Sequence, residues 1–263
     1  MMGYETITLE KLERRATLIL NRPAVMNAMD DVMIRELADC FEALHKESDI
    51  QVLVIRGEGK VFSAGGDIKA MLDPNHPMHN EFGGIMQHMT RLARAYYTLP
   101  MITVAAVHGA AAGLAFSLAL GSDILLAEEN SKLAMNFIGI GLVPDGGGHF
   151  FMKERLGTVK AKQMIWEGKV LNAPEAHKLG LVDHSVPDGA VFAVTDQLVG
   201  KLLASPIASM LATKELLHAQ RLPELEVILA AEEKAQVKMH STADHLEGIS
   251  AFVEKRKPEF LGK

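Results

Sequence analysis

The chain has 263 residues, 48% of them apolar and 23% charged, which fits one large domain or one core with a smaller appendage and excludes a disordered polymer. Its net charge is −6 with the basic residues dispersed, so neither nucleic acid nor a membrane is an expected partner. A single cysteine, Cys40, excludes an internal disulfide framework; it falls in a helical pattern and reads as a buried structural thiol in a reducing, cytoplasmic compartment.

The opening MMGYETITLE has no basic region followed by an apolar stretch and does not read as a secretory signal. TITLE (6–10) and RATLILNRP (15–23) read as two strands joined by a tight turn. The stretch 28–49 carries Met33, Leu37, Phe41 and Leu44 on one helical stripe. VLVIRG (52–57) is a buried strand and GEGKVFSAGGD (57–67) a loop. Residues 77–98 read as a helix with an irregular start; the stretch 72–90 is expected to shape a pocket. Residues 101–122 contain no charged side chain and are long enough to span a bilayer. Their β-branched first half and Ala/Leu-rich second half read better as a buried strand, the turn HGAAAG (108–113) and a buried helix, LAFSLALG (114–121). DILLAEE (123–129) and SKLAMNF (131–137) are short strands, and a helix follows GLVPDGGG (141–148). Two more helices and a strand lie between 158 and 187, and from about 190 onward only helices are expected, among them 223–240 and 243–260. Strand–strand–helix units followed by a helical tail define an α/β core with a helical C-terminal region.

Several familiar sites are absent from the sequence. The glycine-rich loop at 57–67 lacks the lysine-Ser/Thr ending of a P-loop and does not fit a dinucleotide fingerprint. His76, His79 and His88 are loosely spaced without a completing cysteine or carboxylate, so no metal site is expected. No Gly-x-Ser-x-Gly elbow marks a serine hydrolase. Two backbone amides share a different logic. The amide of Gly66, in SAGGD, is unshielded by any side chain. The amide of Leu114 opens a helix and lies at the positive end of its dipole. Converging on one oxygen they would form an oxyanion hole; apart, they are a tight turn and a close-packed helix start. Asp145, in PDGGG, reads either as the N-cap of the next helix, turned onto Gly147 and Gly148, or as a proton-transfer group.

LNRPAVMNAM (20–29), VFSAGGDIKAM (61–71), VHGAAAGLAFSLALGSDILLA (107–127), GIGLVPDGGG (139–148), GKVLNAPEAHKLGLVDHSVP (168–187) and FVEKRKPEF (252–260) together resemble the enoyl-CoA hydratase/isomerase (crotonase) superfamily. The resemblance covers nearly the whole chain and implies a spiral of ββα units over 1–198 and a helical region at 199–263 used for self-association as a homotrimer or a dimer of trimers. It implies an acyl-CoA thioester substrate, with coenzyme A part of the substrate and no further cofactor. By motif position, the amides of Gly66 and Leu114 would hold the thioester oxygen. The backbone of Ala64, Gly66 and Ile68 would hold the adenine, and Arg22, Val25 and Lys69 would lie along the coenzyme A chain or its phosphates. Hydratases of the family carry two glutamates that activate water; here Ser117 and Phe137 stand at those positions. Ser117 can orient water but is a poor base. The resemblance is therefore to members with a single catalytic aspartate, Asp145, which shift a C=C bond by proton transfer; His149 and Glu154 are secondary candidates. A hydratase using Ser117, Asp145 and water, or a silent acyl-CoA-binding subunit, are the alternatives.

Overall fold

The computed structural model describes residues 3–263. The chain opens as the hairpin β1 (Ile7–Leu12) and β2 (Arg15–Leu20), followed by helix α1 (Asp31–Leu44) and strand β3 (Val52–Gly57). The short helices α2 (Ile68–Leu72) and α3 (Pro77–Asn80) lead into α4 (Phe82–Tyr97). Strand β4 (Ile102–Val107) then passes through β5 (Ala110–Ala112) into α5 (Leu114–Leu120), β6 (Ile124–Glu128) and β7 (Lys132–Ala134). A 3₁₀ turn at Phe137–Ile140 precedes α6 (Gly148–Leu156) and α7 (Thr158–Glu167). Strand β8 (Val170–Leu171), α8 (Ala173–Leu179) and β9 (His184–Val186) complete the sheets, and α9 (Val191–Ala204), α10 (Ile207–His240) and α11 (Ala243–Glu254) end the chain. The large sheet runs β1-β2-β3-β4-β6-β9, antiparallel at the first pair and parallel thereafter; β5, β7 and β8 form a second, small sheet.

The period-two geometry of strands explains the two cores. Leu53, Ile55, Ala105 and Leu125 face a main core shared with Met33, Leu37, Phe41 and Leu44 of α1. Val52, Val54, Val104 and Leu126 face a second core closed by Val191, Val199 and Leu202 of α9. Both faces are thus covered, which is why these strands are continuous apolar runs. The boundary read between 198 and 199 falls inside α9. Cys40 is buried, and burial pushes its thiol up to about 11.

Four elements differ from the sequence reading. The turn at 108–113 contains β5, whose three alanines carry no strand propensity; they pair because Lys132–Ala134 runs alongside, tertiary context overriding propensity. Phe137 belongs to the 3₁₀ turn rather than to a strand, since β7 ends at Ala134. The helix read from residue 223 begins at Ile207 and runs through Pro223, held beyond it by the docked face Leu225, Leu229, Glu232 and Gln236. The closing helix stops at Glu254, where Lys255 takes a left-handed conformation (φ 57°). The uncharged stretch 101–122 forms β4, β5 and α5 in the interior. Among the described residues no single helix is long and apolar enough to cross a membrane.

Candidate active site

The loop carrying Gly66 is held by side chains. Asn27, itself left-handed (φ 52°), donates through Nδ2 to the carbonyls of Glu58 and Val61 at 2.8 and 2.9 Å. Ser63 Oγ donates to the Asn27 carbonyl (2.7 Å) and accepts from the Gly65 amide (3.1 Å). Gly65 has φ 91°, and a Cβ there would sit 2.4 Å from the Ala112 carbonyl oxygen. That close approach presses the loop against the β5–α5 junction, which only glycine permits. The Asp67 amide is used, donating to the Met29 carbonyl (3.0 Å), whereas among the described residues the Gly66 amide makes no such bond. The Leu114 amide, first in α5, has no intrahelical partner. Gly66 and Leu114 line one cavity of about 320 Å³, together with Ala64, Ile68, Phe137 and Asp145.

Asp145 enters this cavity from the GLVPDGGG loop. Gly146 (φ 61°) and Gly147 (φ 83°) are left-handed, and a Cβ on Gly146 would lie 2.6 Å from Leu114 Cδ1. A Cβ on Gly148 would lie 2.6 Å from Ser117 Oγ. Gly146 and Gly148 therefore pack the loop against α5, Gly147 packs it against Phe151 of α6, and Asp145 is placed just ahead of α6. Asp145 does not cap α6 with its side chain: the N-cap is Gly147, and Glu232 of α10 serves in its place. Glu232 accepts from the Gly147 amide (2.8 Å), the His149 amide (3.0 Å) and His149 Nδ1 (2.8 Å). Asp145 Oδ2 accepts from Gln236 Nε2 at 2.7 Å, and Oδ1 has no hydrogen-bond partner among the described residues. Burial, reinforced by the charge of Glu232 and opposed by the Gln236 bond, pushes the Asp145 carboxyl up to about 8.

The other expected residues are distributed as follows. Ser117 is buried with its hydroxyl 3.6 Å from the Met135 sulfur, and it is not part of the cavity wall. Phe137 lines the wall, its ring beside Gly113 at the start of α5. An apolar ring thus occupies the position where a hydratase glutamate was expected. The Arg22 guanidinium is engaged by Asp30 (3.0 Å), Asp67 (3.1 Å) and the Ala28 carbonyl. Both aspartates also cap helices, Asp30 at Met33 and Asp67 at Ala70, so Arg22 ties α1 to α2. Val25 and Lys69 are exposed. His149 is bound to Glu232, and Glu154 pairs with Arg221. His76 accepts from the Met78 amide, His79 donates to the Met71 carbonyl and His88 accepts from Arg91. Gln236 and Glu232 were not anticipated. The signal was present: Leu225, Leu229, Glu232 and Gln236 follow a 4-3-4 spacing, so two polar residues occupy core positions of a helix and require buried partners.

The profile of the family described as enoyl-CoA hydratase/isomerase matches residues 14–263. The chain belongs to that family and is an enzyme of the crotonase superfamily. It is 45% identical over 245 residues to the enoyl-CoA hydratase/isomerase family protein YhaR of Bacillus subtilis strain 168, covering 93% of this chain and 94% of that one. It is 33% identical over 248 residues to the 1,2-epoxyphenylacetyl-CoA isomerase of Escherichia coli strain K12, covering 94% and 95%. The crystal structure of an enoyl-CoA hydratase from Mycobacterium avium subsp. paratuberculosis K-10 superposes with a TM-score of 0.89 at 31% identity, over 98% of this chain and 100% of that one.

Proposed function

We propose that the protein is an enoyl-CoA isomerase that moves a C=C bond between the 3 and 2 positions of an acyl-CoA through a single carboxyl, Asp145. The observation that carries this reading is one apolar cavity holding two unsatisfied backbone amides and one buried carboxyl with a free oxygen. The thioester carbonyl oxygen would accept from the Gly66 and Leu114 amides. Ionised Asp145 takes a proton from C2, the electron pair moves into the carbonyl, and the resulting dienolate charge rests against the two fixed dipoles. The carboxylic acid then returns the proton to C4, so no atom is gained or lost. A carboxyl titrating near 8 suits both halves of this cycle, because near neutral pH it is readily protonated and deprotonated. Ala64 and Ile68 of the cavity wall, with Lys69 next in sequence and Arg22 bonded to Asp67 beside them, would accommodate coenzyme A together with Val25, and no further cofactor enters the scheme. The exposed apolar residues Leu216, Leu217 and Val227 of α10 support self-association, read as a trimer or a dimer of trimers.

A hydratase is the second reading, favoured by the solved relative of that name. Against it stand Phe137 in the cavity wall and Ser117 outside it. The test is to give the protein 3-hexenoyl-CoA and 2-hexenoyl-CoA separately, beside Asp145→Asn. Interconversion of the isomers, lost in the variant, supports isomerisation. Water addition to 2-hexenoyl-CoA that survives Asp145→Asn refutes it, and binding without turnover indicates a silent subunit.

A further inference from the structure

The bonds that hold Asp145 come from a helix far away in sequence. Gln236 and Glu232 lie one turn apart on α10, and both are buried. Gln236 uses both ends of its amide: Nε2 donates to Asp145 Oδ2 (2.7 Å) and Oε1 accepts from the Val143 amide (3.3 Å). Glu232 holds the other side of the same loop through the amides of Gly147 and His149. The backbone is therefore pinned on both sides of residue 145, and one carboxyl oxygen is pinned with it.

We propose that Gln236 and Glu232 form a clamp that positions Asp145, Gln236 immobilising one carboxyl oxygen and leaving the other to transfer the proton, while Glu232 fixes the backbone beneath it and sets a negative charge alongside. The inference rests on the reading of Asp145 as the proton shuttle. Neither residue is itself part of the cavity wall, and both act through Asp145 and its loop, so both are positioning residues. Their electrical effects are opposed. A donor to the carboxylate favours ionisation, and a neighbouring negative charge disfavours it. The groups around the carboxyl are Glu232 on α10, His149 on α6 bound to that glutamate, and Lys132 of β7 along the same cavity. The walls from the loop at Gly66 and from α2, α4 and α5 present backbone or apolar side chains, among them Ile68, Met89 and Leu114.

Gln236→Met keeps the length of the side chain and deletes its hydrogen bonds, whereas Glu232→Gln keeps an acceptor for the loop and deletes the charge. The carboxyl of residue 145 can be titrated directly by NMR in protein carrying ¹³C-labelled aspartate, its resonance assigned by its absence in Asp145→Asn. The wild-type midpoint is expected near 8. Gln236→Met should raise it by about one unit and Glu232→Gln lower it by a similar amount, since a hydrogen bond to a charged group differs in free energy by roughly that factor. The pH limb of kcat with 3-hexenoyl-CoA should move with each midpoint, while KM changes less than about twofold, as expected for an effect on the reacting carboxyl rather than on binding. A role in packing alone predicts something else: loosening admits water, and both variants lower the midpoint together. That result, or two unchanged midpoints, overturns the clamp. If Glu232→Gln does not fold, the direction of shift in Gln236→Met still decides; if Gln236→Met does not fold, Gln236→Leu, which also deletes the hydrogen bonds, takes its place with the same expected rise. If the wild type does not interconvert the hexenoyl isomers, the isomerase reading fails, whereas the titration still tests the clamp.

Discussion

Asp145→Asn should abolish the proposed chemistry and stabilise the protein, by an amount that grows with pH. The wild-type carboxyl is raised from an ordinary value of 3.8 to about 8, chiefly by burial. Between those values the folded chain binds the proton more tightly than the unfolded chain, so stability falls as pH rises through the window. At 1.36 kcal/mol per unit, ionisation favours the unfolded state by about 2 kcal/mol at pH 5 and about 5 kcal/mol at pH 8. Asparagine carries no such charge. It can still accept from Gln236, but its amide nitrogen inherits the place of the unpartnered Oδ1, which costs about 1–3 kcal/mol. The expected result is near parity at pH 5 and a variant more stable by about 2–4 kcal/mol at pH 8. Urea denaturation of both proteins at the two pH values, at one protein concentration, measures this. A variant no more stable than wild type at pH 8, or an advantage that shrinks with pH, would show that the carboxyl is hydrated and that its strain in the fold is not real.

Further outcomes follow from the same geometry. Wild-type kcat for 3-hexenoyl-CoA should rise with pH to a plateau above about 8, since in the proposed reaction the ionised carboxyl acts first, and Asp145→Asn should lower kcat by about 10²–10⁴-fold on that plateau. Leu114→Pro removes the first amide of α5 at a position where proline suits a helix; far-UV circular dichroism should stay native while kcat falls by about 10²–10³-fold. Arg22→Met leaves Asp30 and Asp67 unpaired at two helix caps, and urea denaturation should show a loss of about 2–3 kcal/mol. Gly147→Ala meets a positive φ and a Cβ 2.7 Å from Phe151, and its melting temperature should fall by several degrees, about 1–2 kcal/mol.

Much of the fold was legible because local pattern and burial agree. The stripe of α1, the runs of β3, β4 and β6 and the helix after GLVPDGGG each follow from a single period. Where the reading failed, a distant segment decided. The alanines of β5 are a strand only because β7 lies beside them, and residues 207–222 continue helically through Pro223 because the face beyond it is docked. The candidate site divides in the same way. Gly66 and Leu114 announced themselves as a glycine in a loop and the first residue of a helix, but the bond that unites them is the contact of Gly65 with Ala112.

Asp145 shows why local sequence could not choose between cap and acid. An aspartate before a helix normally turns its carboxylate onto the first amides, because nothing nearer offers them an acceptor. Here an acceptor arrives from 87 residues away: Glu232 takes the amides of Gly147 and His149, and the capping demand on Asp145 disappears. Gln236 then takes one oxygen of the released carboxyl, and burial keeps the remainder near neutrality. Two polar residues on the core face of α10 thereby convert a residue with the local signature of a cap into one with the surroundings of a general base. Glu232→Leu, which removes the acceptor altogether, tests both halves of that conversion at once, since a loop deprived of its borrowed acceptor gives Asp145 reason to turn back toward its own helix.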